Sequence, residues 1–278
     1  MLLSGGFMVF TEISSRKNEI ITELSALETD KKRRDSLSLF AFEGVKLFEE
    51  AVLSGIEIEK VLFTQKALDA YGKTLEKAKG ASFYLVSDSV YDKLSSEKSP
   101  QGVFVCARMP KKLSLDSGDF KKSSESGFII FDEIQNPLNV GAILRSCYSF
   151  GFENVIFTPG CADLYGGKCV RAAMGSLFKI KPYFVPSAQD AVKEIISLGK
   201  NVYCADADRS GMTLGEITFS QSDSFIIGNE GHGVSEGAKA LCSGQIFIPM
   251  NQGAESLNAA SAAAVIMWEM KKTSLMRK

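Results

Sequence analysis

Apolar residues in the second half of the chain come in short unbroken runs separated by stretches of helical period. Gly127–Phe131 (GFIIF) predicts a buried strand, Val140–Phe150 a helix closed by Gly151, and Val155–Thr158 the next strand. Ser187–Leu198 predicts a helix stopped at Gly199. The strand-like NVYCA, SFIIGNEG and QIFIP follow, with a short helical stretch near Ser235–Leu241 and an alanine-rich helix over Leu257–Met270. Apolar strands that alternate with helices predict a parallel sheet covered on both faces. The first half is also α/β but keeps its own rhythm. Ile20, Ile21, Leu24 and Leu27 form a helical stripe; LFAFEG, KVLFT, FYLVS and GVFVCA read as strands, with helices over Val45–Leu53 and Lys66–Lys79 between them. Met109–Gly127 is rich in Lys, Ser, Asp and Gly and lacks a strong apolar period. The expected organisation is a first domain over residues 12–108, a linker over 109–126 and a second domain over 127–278, with no internal repeat.

Composition narrows the partners more than the fold. The 278 residues, 45% hydrophobic and 23% charged, suit a soluble globular protein of about two domains. No apolar run approaches the roughly 20 residues of a membrane-spanning helix. The N-terminal MLLSGGFMVF has neither the basic flank nor the cleavage site of a signal peptide. It reads as a ragged start, with Met8 as an alternative initiator, in a cytoplasmic protein. Cys106, Cys147, Cys161, Cys169, Cys204 and Cys242 are scattered without C-x-x-C spacing, which favours reduced structural thiols. With His232 the single histidine, a zinc site or a Cys-His nucleophile is hard to assemble, and no metal is expected. With a net charge of −1, nothing in the bulk electrostatics demands nucleic acid as a partner, and any surface for one must be local.

Three stretches of the second half carry the candidate chemistry. Asp132–Phe157 (DEIQNPLNVGAILRSCYSFGFENVIF) spaces Asn139, Gly141 and Arg145 as N-x-G-x-x-x-R. Asn139 stands where a helix N-cap belongs, and Gly141 lets a ligand or another chain approach the first turn. A plain capped helix with Arg145 on a solvated face explains this stretch, taken alone, equally well. Phe225–Glu236 (FIIGNEGHGVSE) puts glycines and Glu230 at the end of a buried strand, where ligands of open parallel sheets bind. Its G-x-x-G-x-G order is not the dinucleotide fingerprint; alone it reads as a tight turn, with His232 a local hydrogen-bonding residue. Ile246–Met270 ends a strand in Ile-Pro-Met, crosses a polar loop and enters the alanine-rich helix through Ser256, Leu257 and Asn258. A well-packed, Ser-capped helix accounts for the alanines but not for the polar loop.

Together, and in this order, these stretches resemble motifs 1, 2 and 3 of the SpoU (TrmH-like) RNA ribose methyltransferases of the SPOUT superfamily. KKRRDSLSLFAFEGVKLFEEAV and LSSEKSPQGVFV resemble the substrate-binding domain that precedes many of these enzymes. Where pattern alone predicts a doubly wound sheet, the resemblance implies a C-terminal α/β domain tied in a trefoil knot around a parallel sheet. It also implies a smaller α/β substrate-binding domain before it, and a homodimer with active sites near the interface. S-adenosylmethionine would lie against Gly228, Glu230, Gly231, Ile248, Met250, Ser256 and Leu257. Arg145 would take the catalytic position in methyl transfer to a ribose 2′-hydroxyl, with Asn139, Glu230, Ser256 and Asn258 positioning substrate and arginine. A guanidinium offers five donors in a planar fork and no acceptor. Arg145 is therefore expected to orient the ribose and its phosphate and to stabilise charge on the oxygen, the proton leaving to phosphate or water.

For RNA capture the resemblance favours phosphate contacts by Lys31, Lys32, Arg33 and Arg34, a run that would otherwise read as a solvated charge cluster. Arg171, in KCVRAAMGS, is a second candidate on the catalytic half. The near-neutral substrate domain favours ribosomal over transfer RNA. SLNAAS departs from the commonest third-motif wording, in which valine often follows the asparagine, and this is a small-for-small change. The alternatives are a non-catalytic RNA-binding or ribosome-assembly protein on the same scaffold, and a nucleotide-dependent oxidoreductase, against which the missing dinucleotide fingerprint counts.

Overall fold

The computed structural model describes residues 8–116, 118–206, 211–251, 253 and 256–276. Two compact units emerge. One runs to Pro110 and takes in Tyr165–Arg171; the other comprises Lys111–Leu164 and the chain from Ala172 onward.

The first unit follows the chain as β1 (Phe10–Ile13), α1 (Glu19–Thr29), α2 (Lys31–Leu37), β2 (Leu39–Glu43), α3 (Val45–Leu53) and β3 (Ile58–Phe63). It continues with α4 (Gln65–Leu75), β4 (Ser82–Val86), α5 (Asp88–Leu94) and β5 (Val103–Arg108). The sheet order is β1-β4-β3-β5-β2, with β1, β4 and β3 parallel and β5 antiparallel to both its neighbours. The stripe on α1 buries Ile21, Leu24 and Leu27, which join Leu39, Ala41, Leu62 and Phe104 in the core. β1 begins before the expected domain start at residue 12 and takes up the end of the decapeptide read as ragged. Three of its four residues are exposed, so it carries no apolar signal. The initiator question falls on Met1–Phe7, which lie outside the described residues.

The second unit opens inside the stretch expected as a linker. Leu113 bridges to Tyr183, and α6 (Gly118–Lys122) delivers Phe120 between Phe128 and Tyr183, with ring centroids 4.8 and 5.6 Å away. One buried aromatic in a polar segment anchors the chain without creating a period. Beyond it come β6 (Phe128–Asp132), α7 (Pro137–Ser149), β7 (Asn154–Phe157), β8 (Lys181–Phe184) and α9 (Ala188–Ser197), while α8 (Gly167–Ala173), between β7 and β8 in the chain, falls to the first unit as far as Arg171. β9 (Val202–Ala205), β10 (Met212–Thr213), β11 (Ser224–Gly228), α10 (Glu236–Lys239), β12 (Gly244–Phe247) and α11 (Ala259–Leu275) complete the second unit.

Its strands are ordered β10-β12-β9-β11-β6-β7-β8, and every pairing is parallel. All residues of β6, β7 and β11 are buried, as strands covered on both faces must be. The chain steps outward from β6 through β7 to β8, returns to β9, and then inserts β11 into the slot between β9 and β6. The order reverses at that slot, and in open parallel sheets the carboxyl ends beside such a reversal form a crevice. No helix among the described residues is long and apolar enough to cross a membrane.

Candidate active site

The crevice is built on α7. Its N-cap is Asn136, whose side chain accepts from the Leu138 amide at 2.9 Å, with Pro137 at the first helical position. This corrects the expectation that Asn139 is the cap: three residues further on, Asn139 is buried in the first turn and uses both ends of its amide elsewhere. Its Nδ2 donates to Glu230 Oε1 at 2.9 Å, and its Oδ1 accepts from Asn258 Nδ2 at 3.0 Å. Asn258 in turn caps α11, accepting from the Ala260 amide at 2.9 Å. A hydrogen-bonded chain thus runs Asn258 to Asn139 to Glu230, joining the starts of the two helices to the turn after β11.

Glu230 also accepts from the amides of Gln135 and Asn136, each at 3.2 Å. Burial pushes its pKa up, but these bonds, led by the one from Asn139, outweigh burial and hold the carboxyl below its ordinary value. The turn is closed by paired Asn229 and Gly233 backbone bonds of 3.0 and 2.9 Å, while the Asn229 side chain donates to Glu133 O and accepts from the Gly231 amide. Asp132, at the end of β6, accepts from the Ser235 amide at 2.8 Å. Gly228 lies where any Cβ would stand 2.1 Å from the carbonyl carbon of Gly233 and the nitrogen of Val234, so the backbone itself excludes a side chain. His232, 62% exposed, points its Nε2 to within 3.8 Å of Glu133.

A pocket of about 530 Å³ opens beside this turn, within the range of small-molecule sites. Gly228, Glu230, Gly231, Ile248, Met250, Ser256 and Leu257 all line it, as does Asn258. Ala205, Asp206, Lys239, Ala259 and Ala262 also line it, and sequence reasoning did not single them out as site residues. Asp206 carried a usable signal, since it directly follows a strand of the parallel sheet; Lys239, on a short polar helix, carried none.

Arg145 is not part of this lining. It lies on α7 six residues after Asn139, which places the two side chains about 120° apart around the helix. It is exposed, and its guanidinium has no hydrogen-bond or ion-pair partner among the described residues.

The cations expected to meet RNA divide in two. Lys31, Lys32 and Arg33 are exposed on α2, with Arg33 3.5 Å from Glu23. Arg34 is 3% exposed and donates to the Leu27 carbonyl, which removes it from any RNA surface. Adjacent helical residues are about 100° apart, so four in a row cannot all face solvent on a packed helix. Arg171 is corrected as well. It belongs to the first unit, where it bonds Ser96 Oγ at 2.7 Å and lies 3.6 Å from Glu28, 3.6 Å from Glu97 and 4.0 Å from Glu43. Its charge is matched internally by these carboxylates.

Residues 126–268 match the SpoU rRNA Methylase family, and residues 18–105 match an MRM3-like substrate binding domain. The 23S rRNA (guanosine(2553)-2′-O)-methyltransferase of Bacillus subtilis is 29% identical over 260 residues, covering 94% of this chain and 99% of that protein. The 23S rRNA (uridine(2479)-2′-O)-methyltransferase of Streptomyces viridochromogenes is 28% identical over 263 residues, covering 92% and 90%. The crystal structure of the SpoU methyltransferase AviRb from Streptomyces viridochromogenes with the cofactor AdoMet superposes with a TM-score of 0.82. It is 27% identical, and the match covers 93% of this chain and 99% of that one. The match across residues 126–268, which holds the Asn258–Asn139–Glu230 chain and the pocket beside it, establishes that this protein belongs to the SpoU rRNA methylase family.

Proposed function

We infer that this protein is an RNA 2′-O-methyltransferase that uses S-adenosylmethionine and acts on ribosomal RNA. The observation that carries the reading is the buried Asn139 amide holding Glu230 and Asn258 together at the mouth of the pocket. The pocket fits the cofactor: glycines at 228, 231 and 233 expose backbone, Ile248, Met250 and Leu257 supply apolar surface, and the space is of small-molecule size. When bound, the cofactor supplies an electrophilic methyl group on a sulfonium. The rRNA preference rests on the two relatives above, both of which act on 23S rRNA by name.

Transfer to a ribose hydroxyl is an in-line displacement, so the protein's task is alignment and charge stabilisation. Gly228, Glu230, Gly231, Ile248, Met250, Ser256 and Leu257 hold the donor; Asn139, Glu230 and Asn258 fix the shape of the turn that faces it. Arg145 orients the ribose and its phosphate through its planar fork and stabilises charge on the attacking oxygen, while phosphate or water takes the proton. Because Arg145 lies outside the pocket lining of its own chain, it acts at the pocket of a second copy. A homodimer fits the surface: α7 and α11 pack on each other and leave Leu138, Tyr148, Val265 and Trp268 between 40% and 56% exposed. Lys31, Lys32 and Arg33 supply phosphate contacts. Six free thiols, four of them fully buried, suit a reducing cytoplasmic setting.

The test is methyl transfer from labelled S-adenosylmethionine to size-fractionated cellular RNA, followed by alkaline hydrolysis. Label is expected in alkali-resistant dinucleotides of the ribosomal fraction, and Arg145→Ala is expected to reduce it by about a hundredfold or more. Mixing Arg145→Ala with Glu230→Gln protomers should restore part of the activity, because one shared site per mixed dimer is intact. Cofactor binding without transfer to any RNA overturns the catalytic reading, and no recovery on mixing overturns the shared site.

A further inference from the structure

Among the described residues that line the pocket, the side chains with full charges are Asp206, Glu230 and Lys239. Glu230 is engaged by Asn139 and two backbone amides, whereas Asp206 and Lys239 are paired with each other. Asp206 is set at the carboxyl end of β9, its amide donating to the Ile246 carbonyl at 3.0 Å. Lys239 ends α10, which is seated by the fully buried Ala238. Lys239 Nζ stands 2.9 Å from Asp206 Oδ2, with the two side chains only 22% and 17% exposed, and 3.3 Å from Glu236, whose side chain is 91% exposed. An ion pair drawn this far from solvent costs desolvation that a surface pair does not. Placing it on a pocket wall gives the pocket one pole of each sign, side by side.

S-adenosylmethionine has the matching feature at one end only: its α-amino acid carries an ammonium and a carboxylate on the same carbon. The adenine needs flat apolar surface and backbone groups, which Ile246, Ile248, Leu257 and the glycines provide. The ribose diol is neutral and calls for an acceptor but not for a lysine beside it. Resting on the methyltransferase reading, we propose that Asp206 and Lys239 together bind the amino-acid end of the cofactor, Asp206 accepting from its ammonium and Lys239 donating to its carboxylate. The two pairs then lie head to tail, each charge meeting its opposite without leaving an unpaired charge buried.

Calorimetric titration of the full-length protein separates this from the alternatives, using S-adenosylhomocysteine and methylthioadenosine. The second ligand keeps the nucleoside and thioether but lacks the amino-acid end. Asp206→Asn and Lys239→Met are each expected to weaken S-adenosylhomocysteine about tenfold and to leave methylthioadenosine within about twofold. Unchanged methylthioadenosine binding also shows that the variants are folded. Equal loss of both ligands overturns the assignment by placing the pair at the nucleoside or in a purely structural role, and no loss of either overturns it directly. A wild-type protein that binds neither ligand overturns the cofactor reading itself, and this proposal with it.

Discussion

Asn139 shows how much can depend on one amide. With Glu230 accepting from its Nδ2 and Asn258 donating to its Oδ1, replacing it by alanine removes both bonds, leaves the exposed Asn258 amide to water and takes away a bond that holds the Glu230 carboxyl below its ordinary value. The expected cost is about 1 kcal/mol in denaturant unfolding at neutral pH. The pH dependence has a definite sign. A carboxyl held below its ordinary value contributes stability that is present above the unfolded pKa and is lost as pH falls through the folded one. The gap between wild type and Asn139→Ala should therefore narrow on acidification, and a gap that is constant from neutral to acid pH would show that Glu230 is not the partner that matters. Residue type pointed to an asparagine in N-P-L-N, but two are present. Which of them caps and which faces the site is decided by Glu230, 91 positions further along the chain.

At the level of elements, the turn after β11 depends on Gly228. A Cβ there meets the Gly233–Val234 peptide at 2.1 Å, and backbone does not yield as a side-chain tip would. Gly228→Ala is expected to destabilise the second unit by roughly 3 kcal/mol and to abolish cofactor binding, read by thermal melting and by titration with S-adenosylhomocysteine. A variant that melts as wild type does would mean that the turn relaxes freely. This element was legible in advance because an apolar run ending in glycines beside a polar loop marks a strand entering a crevice. The helices were legible for the same kind of reason, with α3 expected and found over Val45–Leu53. α2 was less so: a run of four cations looks uniform in sequence, yet helical geometry turns Arg34 inward to the Leu27 carbonyl.

At the scale of the whole molecule, side chains far apart in sequence meet around Arg171. Glu28, Glu43 and Glu97 surround one guanidinium, and one Glu28 oxygen is buried without a hydrogen bond. Burial first, then Glu43 and Glu97, push the Glu28 carboxyl up to about 6 against the pull of Arg171. A carboxyl raised in the folded state favours folding at pH below its unfolded value of 4.5, and that advantage is lost as pH rises through about 6. Glu28→Gln keeps the neutral form at every pH, so it should melt higher than wild type at about pH 8 and match it near pH 4.5. A melting temperature lowered at pH 8 would show that the attraction to Arg171 prevails over desolvation.

Periodicity and residue type by themselves determined that this chain is α/β in both halves, that its second sheet is parallel, and that three loops rich in glycine, serine or asparagine follow strands of that half. These are local properties, set by which side chains must be buried and by what glycine, asparagine and proline do to a backbone. The tertiary structure alone decided the strand order, with β11 inserted between β9 and β6, because pairing partners are chosen across the whole chain. It alone moved residues 111–126 into the second unit and Tyr165–Arg171 into the first, since one buried aromatic or one matched ion cluster outweighs the character of its segment. It alone left Arg145 outside the pocket lining and brought Asp206 and Lys239 together on its wall, because orientation around a helix and proximity between elements arise only when the elements pack.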